Sequence, residues 1–297
     1  MKNYDLQLFA AEENLVTSQD LEPAISIDFT SRLNSNINAL REVLGITELI
    51  SMPEGSQINI YKSAVENTPE QVAEGEIIPL TKVTTKLART ETLVVKKYRK
   101  AVSAKSIQTR GYENAVNQTD KVLLNSVQKD IKKDFFALIA KGTGSATGTN
   151  LQKTISACWS KLQKAYEDED VSPAYFVSSD DAATYLGDAN ITTQEAMGLI
   201  YIQNFLGLGT LIVSPTLTAG KVYATAKENL NCAYSPASSS SLARAFSLTS
   251  DETGFVGMTH QPNISTATLE TLLLSGVLFF PERLDGVIVG TISGVGA

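Results

Sequence analysis

QINIYKSAVENTPEQVAEGEIIPLTKVTTKLARTETLVVKKYRKAVSAK, residues 57–105, decides the architecture. Ile58 and Ile60 alternate with Gln57, Asn59 and Tyr61, the period of a half-buried strand. From Lys62 to Thr90 the chain then runs with almost no core-forming pattern. Apolar residues return between Glu91 and Lys105, and a long helical pattern follows to Gly142. The segment reads as a strand, a long polar excursion, a returning strand and a rod. A hairpin arm of that length has nothing of its own to pack against, and an isolated two-stranded ribbon is marginal in water. Its expected partner is another copy of the chain. Such a chain is built for assembly ahead of catalysis.

The rod is the clearest element. Val116, Asp120, Leu123, Leu124, Val127, Ile131, Phe135, Leu138 and Ile139 form one stripe at helical spacing, with Lys129, Asp130, Lys132, Lys133 and Asp134 mostly outside it. Asn117 is the expected N-cap, and Lys141-Gly142 the expected stop. A helix over about 117–141 is a rod of roughly 36 Å. Upstream, residues 1 to about 30 lack sustained periodicity and read as an extended arm. Phe29, Leu33, Ile37, Leu40 and Leu44 predict a helix over Ile25–Leu44, closed by Gly45. Met52-Pro53-Glu54-Gly55 turns the chain into the first strand.

Downstream, GTGSATGTN (142–150) reads as a flexible junction and the best domain boundary. It is not a phosphate loop, because its glycines follow a helix and no Gly-Lys-Ser/Thr closes it. Gly207-Leu208-Gly209-Thr210 leads into a strand, where a dinucleotide loop would lead into a helix. Leu151–Tyr166 is a predicted helix with Trp159 in its apolar stripe, so Trp159 is expected in the core. AYFVSS (174–179), LIVS (211–214) and KVYATA (221–226) read as strands, with a helix starting at Ser179. Together they make a compact α/β unit that ends in the serine-rich loop 235–241. LARAFSLTS (242–250) and GFVGMTH (254–260) read as a strand pair, and further strands run on past a turn at Pro281-Glu282-Arg283. These late strands need a sheet, and the ribbon strand Glu91–Ala104 is their natural partner. The first domain is therefore discontinuous, with the α/β unit inserted into it.

A chain of 297 residues can bury a sizeable core without staples. Composition is ordinary for a soluble protein: 43% hydrophobic, 19% charged and 7% aromatic. No apolar run reaches the 18 residues a membrane helix needs, so no membrane partner is expected. MKNYDLQLFAA is interrupted by Asp5 and followed by Glu12 and Glu13, which is not a signal peptide pattern. Cys158 and Cys232 lie far apart and read as reduced, inert thiols. The net charge of −7 argues against a general nucleic-acid binder, yet it is unevenly spread. Between Lys82 and Arg110 stand nine bases, opposed only by Glu91, whereas residues 3–30 hold six acids and no base. Two solvated surfaces would explain this. So would the acidic arm of one copy lying across the basic ribbon of another, provided many weak pairs act together. Nucleic-acid binding by the ribbon is the weaker alternative, since Tyr98 is its only aromatic in the basic stretch.

Chemistry is hard to place. His260, in GMTHQPN, has no nucleophile elbow before it and no carboxylate at a metal-sharing spacing, and it reads as a surface or loop histidine. Asp180 and Asp181 suit a helix start. Glu167–Asp170 lacks the oxygen spacing and glycine of a calcium loop. No catalytic residue, metal ligand or cofactor is expected.

MKNYDLQLFA (1–10), VAEGEIIPLTKVTTK (72–86), GYENAVNQTDKVLLNSVQKDIKKDFFALIAKG (111–142), LGTLIVSPTLTAGKVYAT (208–225) and PERLDGVIVGTI (281–292) occur in an order that resembles the major capsid proteins of tailed bacteriophages. These share the Hong Kong 97-type capsid fold. The resemblance implies an α+β chain with an N-terminal arm at 1–30, a helix and turn at 31–55 and an extended β-hairpin loop at 56–92. A peripheral domain with the long spine helix would cover 93–149 and 261–297, and an inserted α/β axial domain 150–260. It implies self-assembly through pentamers and hexamers into an icosahedral shell, with no enzyme activity. The shell would hold double-stranded DNA without sequence-specific binding, as a virion capsid assembled in the cytoplasm of the bacterial host. Scaffolding protein and portal are the implied assembly partners, with the scaffold a separate protein. Inter-subunit contact is expected at Glu74, Glu76, Lys82, Lys86, Arg89, Lys96, Lys97, Arg99 and Lys100. A Lys–Asn cross-link is not predicted, because nothing marks a partner for Lys82, Lys86 or Asn67. An encapsulin-type compartment, filled with cargo protein in place of a genome, is the alternative on the same fold.

Overall fold

The alternation at residues 57–61 begins a strand that runs further than its apolar residues do. The computed structural model describes residues 37–46, 49–66, 77, 80–167, 170–187, 193–196, 199–237, 241–250 and 254–293. Helix α1 (37–44) precedes β1 (Leu49–Ser51), β2 (Gln57–Glu66), β3 (Lys82–Thr92) and β4 (Lys96–Ser103). Helices α2 (Ala104–Arg110) and α3 (Gln118–Ile139) follow, then β5 (Gly144–Gly148), α4 (Leu151–Ala165), β6 (Pro173–Ser178) and α5 (Ser179–Leu186). Next come β7 (Gln194–Ala196), β8 (Leu199–Ile202), β9 (Thr210–Ser214), β10 (Lys221–Ala226) and β11 (Leu230–Tyr234). The chain closes with α6 (Ser241–Phe246), β12 (Val256–Asn263), β13 (Thr268–Ser275), β14 (Val277–Pro281) and β15 (Val287–Ile292). The expected N-terminal arm and most of the helix predicted over Ile25–Leu44 lie outside the described residues.

Seven strands form one sheet in the order β5, β15, β10, β6, β9, β8, β7. The pairs β5–β15 and β6–β9 are parallel and the rest antiparallel. Its central strands are buried on both faces, which is why Ala174–Val177 and Leu211–Val213 are unbroken apolar runs. Successive side chains divide between the two faces. Tyr175 and Val177 pack with Leu151, Ile155, Cys158 and Leu162 of α4. Phe176 packs edge-on against Phe135 and Phe136 of α3, with ring centroids 5.5 and 5.9 Å apart. The helices are capped as their sequences specify. Asn150 accepts from the Lys153 amide at 2.9 Å to start α4, and Ser178 from the Asp180 amide at 3.2 Å to start α5.

Several expectations are corrected. The glycine-rich stretch 142–150 contains a paired strand, β5, where a loose linker was expected. Its glycines allow close approach: a Cβ on Gly142 would lie 2.6 Å from Val287 Cγ1, and one on Gly144 would overlap Ile288 Cδ1. β5 and β15 thereby share one sheet with β6, β9 and β10. LARAFSLTS, expected as strand, begins as α6 and contributes only a bridge from Thr249 to Met258. Asn117 does not cap the rod. It is itself helical, at the end of a π-turn (Glu113–Asn117), and its amide donates to Glu113 Oε2 at 2.6 Å. Trp159 lies on the outer side of α4, 38% exposed, instead of in the core.

Other expectations hold. The late strands do use the ribbon's continuation: β13 pairs with β4 from Thr268↔Ser103 to Ser275↔Lys96, and β12 pairs with β13. Helix α3 buries Leu124, Val127, Ile131, Phe135 and Ile139 in the main core. A second small sheet, β1–β11–β14, lies beside it, with β14 against α3. Cys158 and Cys232 are free and buried, and burial pushes both thiols up to about 12.

Candidate assembly surfaces

Among the described residues β2 and β3 pair only with each other, as an antiparallel ribbon. At its base Ile60 is buried and Ile58 half-buried, in a cluster with Leu138, Ala233 and Phe280. Beyond the base the pairing Tyr61↔Leu87, Ser63↔Thr85, Val65↔Val83 puts one set of residues on one face. Tyr61, Val83 and Leu87 are 58%, 61% and 55% exposed. Because Tyr61 follows Ile60, this apolar face points away from the side on which Ile60 reaches the chain's own core. Lys82, Thr84, Lys86 and Glu66 occupy the opposite, polar face, where Lys82 pairs with Glu66 at 3.3 Å. Ile77 and Leu80, near the ribbon's tip, are almost fully exposed.

A groove of about 290 Å³ runs between the ribbon base, α3 and the β13–β14 junction. Its lining includes Val94, Val127, Ile131, Leu138, Val277 and Leu278, with Glu91, Lys96 and Asp134 among the polar groups.

Four bases of the stretch meet acids of their own chain. Lys96 pairs with Asp134 at 2.6 Å and Lys97 with Glu54 at 3.3 Å. Arg99 meets Glu270 through two bonds, at 2.8 and 3.0 Å, and Lys100 meets Asp120 at 2.7 Å. The pattern follows the strand's two faces. Lys96, Tyr98 and Lys100 alternate along β4 and meet Asp134, Asp130 and Asp120 of α3, with the Tyr98 hydroxyl donating to Asp130 Oδ2 at 2.7 Å. Lys97 and Arg99 face the other way. Among the remaining candidates, Arg89 turns inward, Lys82 and Lys86 are exposed, and Glu74 and Glu76 lie outside the described residues.

His260 is not a surface histidine. Its side chain is 3% exposed and lies 2.8 Å from Asp120 Oδ2, while Asp120 is fully buried. The register Lys100↔Thr271↔His260 sets three residues in a row across β4, β13 and β12, under the carboxylate that α3 supplies. Lys100 also donates to the Val116 carbonyl at 2.8 Å and to Thr119 Oγ1. Burial lowers the Lys100 ammonium below the ordinary lysine range, and Asp120 offsets part of this. The cluster ties α3 to the sheet. The signal for it was in the sequence: Asp120 is the lone carboxylate in an otherwise apolar stripe. Among the described residues no group of three or more His, Cys, Asp and Glu side chains could hold a metal ion. Nor is any described helix long and apolar enough to cross a membrane.

Solved structures with a similar architecture include the following. The capsid of an empty GTA particle covers 86% of this chain and 90% of its own, at 10% identity and a TM-score of 0.57. That of Mycobacterium phage Patience covers 95% and 91%, at 10% identity and 0.53. The SrpI encapsulin complex of Synechococcus elongatus covers 85% and 87%, at 11% identity and 0.53. No curated protein sequence matches. Identities this low speak for the fold, and that fold is the Hong Kong 97-type capsid fold. The family described as phage capsid protein matches residues 88–253, more than half of the chain. The chain belongs to the phage capsid protein family.

Proposed function

We propose that this chain is the major capsid protein of a tailed bacteriophage, closing through pentamers and hexamers into an icosahedral shell around double-stranded DNA. The observation that carries the reading is the ribbon: an apolar face on which Tyr61, Val83 and Leu87 are each more than half exposed. A sister copy covers it, and the groove along α3 supplies an apolar seat. Each ribbon leaves its body beside the groove that receives the next, so the contact is head-to-tail and closes into rings. The seven-stranded sheet forms the axial domain, and α3 with β12, β13 and β4 the peripheral domain. Residues 1–30 act as an arm between copies. A separate scaffolding protein and a portal take part in assembly in the host cytoplasm, and DNA is held without sequence-specific contacts.

A second reading, an encapsulin-type compartment, is favoured by one observation, the match to an encapsulin at the same TM-score as the Patience capsid. Shells isolated from the native host separate the two: DNA inside supports the phage reading, and a cargo protein supports the compartment. Deleting Glu66–Lys86 tests both. Shells seen by electron microscopy for the full chain should vanish, while the protomer keeps its helical content and melting temperature. An unfolded protomer would mean that the ribbon belongs to its own core.

A further inference from the structure

The row Lys100, Thr271, His260 lies on the face of the small sheet that α3 covers, with Asp120 set against it. Partners in antiparallel register point to the same face, so Thr271 stands between the two basic residues. Its hydroxyl is buried and makes no hydrogen bond. Asp120 divides its oxygens between the bases. Oδ2 meets His260 Nε2 at 2.8 Å. Oδ1 is shielded from solvent and accepts no hydrogen bond, although Lys100 Nζ stands 2.7 Å away. The lysine nitrogen is thus in contact with the carboxyl group without being aligned to donate to it.

The donations of Nζ go elsewhere, to the Val116 carbonyl at 2.8 Å and to Thr119 Oγ1. Thr119 gives its own proton to the Ala115 and Val116 carbonyls, so towards Lys100 it is an acceptor. A neutral amine has two protons and one lone pair. With both protons engaged, the lone pair is left for the third neighbour, the Asp120 carboxyl. Burial favours that neutral form, lowering the Lys100 ammonium below the ordinary lysine range against the pull of Asp120. A nitrogen nucleophile, an acyl carbon and a proton carrier on the oxygen that would leave therefore meet in one buried place.

We propose that Lys100 and Asp120 condense into an isopeptide bond, a covalent tie between β4 and α3 within one chain. One proton passes from the ammonium to Oδ2, giving an amine and a carboxylic acid. The Nζ lone pair attacks Cγ, and the Thr271 hydroxyl meets the charge that develops on Oδ1. His260 takes a second proton from Nζ and hands it to Oδ2, which leaves as water. The new C–N bond replaces the C–Oδ2 bond. Of the three ammonium protons one stays on the amide and two depart in the water, so no oxidant or cofactor is required. The Lys100 side chain is 15% exposed, which gives the water a way out. Fixed neighbours supply the effective concentration, and the neutral amide removes two charges from a buried site. The bond needs no second copy and does not rest on the assembly reading.

Intact-mass spectrometry of the full chain, denatured after incubation at neutral pH, tests the bond. The chain should be lighter than its sequence by one water. Tandem spectra of a digest should show a branched peptide that joins Lys100 to Asp120. Lys100→Arg, which keeps the charge, should restore the full mass. His260→Gln should slow the appearance of the lighter chain by about a hundredfold, with circular dichroism confirming that the fold is kept. Because the native chain carries the first readout, a variant that fails to fold does not blunt the test. Three results overturn the proposal: a native chain at full mass, a lighter Lys100→Arg chain, or a folded His260→Gln chain that forms the bond at the native rate. So does a water lost without a branched peptide, as an aspartyl succinimide at Asp285-Gly286 would give.

Discussion

In β6, at the centre of the seven-stranded sheet, Ala174, Tyr175, Phe176 and Val177 are all fully buried, whereas Val83 and Leu87 of β3 stand more than half exposed. Both strands carry apolar residues and both pair antiparallel with a neighbour, β3 with one irregularity between Ile60 and Tyr61 of its partner. They differ in what lies above and below. β6 has α4 on one face and α3 on the other. Among the described residues, the outer ribbon has only its partner strand. Backbone pairing without a covered face contributes little independent stability in water. On the proposed function, the body is stable as a protomer and the ribbon is completed by association.

The contrast can be broken from either side. The largest effect is expected on the ribbon. Tyr61→Ser, Val83→Ser and Leu87→Ser together should abolish or severely weaken shell formation by sedimentation. Each alone should change protomer stability by no more than about 0.5 kcal/mol, since each is more than half exposed. Phe135→Ala should do the reverse. It removes a ring packed on Phe176 and Phe279 and should cost about 3–5 kcal/mol in denaturant unfolding. Asp120→Ala removes the buried carboxylate that Lys100 and His260 share, and a loss of about 3–5 kcal/mol is expected. The smallest effect is at Lys97, whose exposed pair with Glu54 is worth roughly 0–1 kcal/mol. Lys97→Glu should be nearly silent, and what it does should fade with salt.

The pairing of Lys96, Lys97, Arg99 and Lys100 within the chain changes how charge reversal reads. Turning all four to glutamate would disrupt α3 and β13 contacts as well as any contact between copies. Only variants at the exposed positions report on assembly.

Much of the architecture was legible because it is periodic. The rod follows from helical spacing and the start of β2 from alternation, whereas most of β3 lies in the stretch before Glu91 that carries no such pattern. What escaped lacks a local pattern. Gly144–Gly148 is a strand only because β15 presses against it, and glycine carries no alternation to announce that. Trp159 has the spacing of a core residue, but the sheet reaches only part of α4's apolar side, so it stays outside. The acids that neutralise the basic stretch come from Glu54, Asp120, Asp134 and Glu270, as far as 171 residues away, so no window on the sequence sees them together. Asp120 was the exception, visible as a misfit whose partners could have been sought in the lone histidine and the nearby lysines.

The central claim is that the outer ribbon takes its stabilising contacts from sister copies. Amide hydrogen exchange, measured on the isolated protomer and on assembled shells, tests it most directly. Residues 61–66 and 82–88 should exchange freely in the protomer and become protected in the shell, while β6, β9 and β10 stay protected in both. Equal, strong protection of the outer ribbon in the protomer would contradict the account.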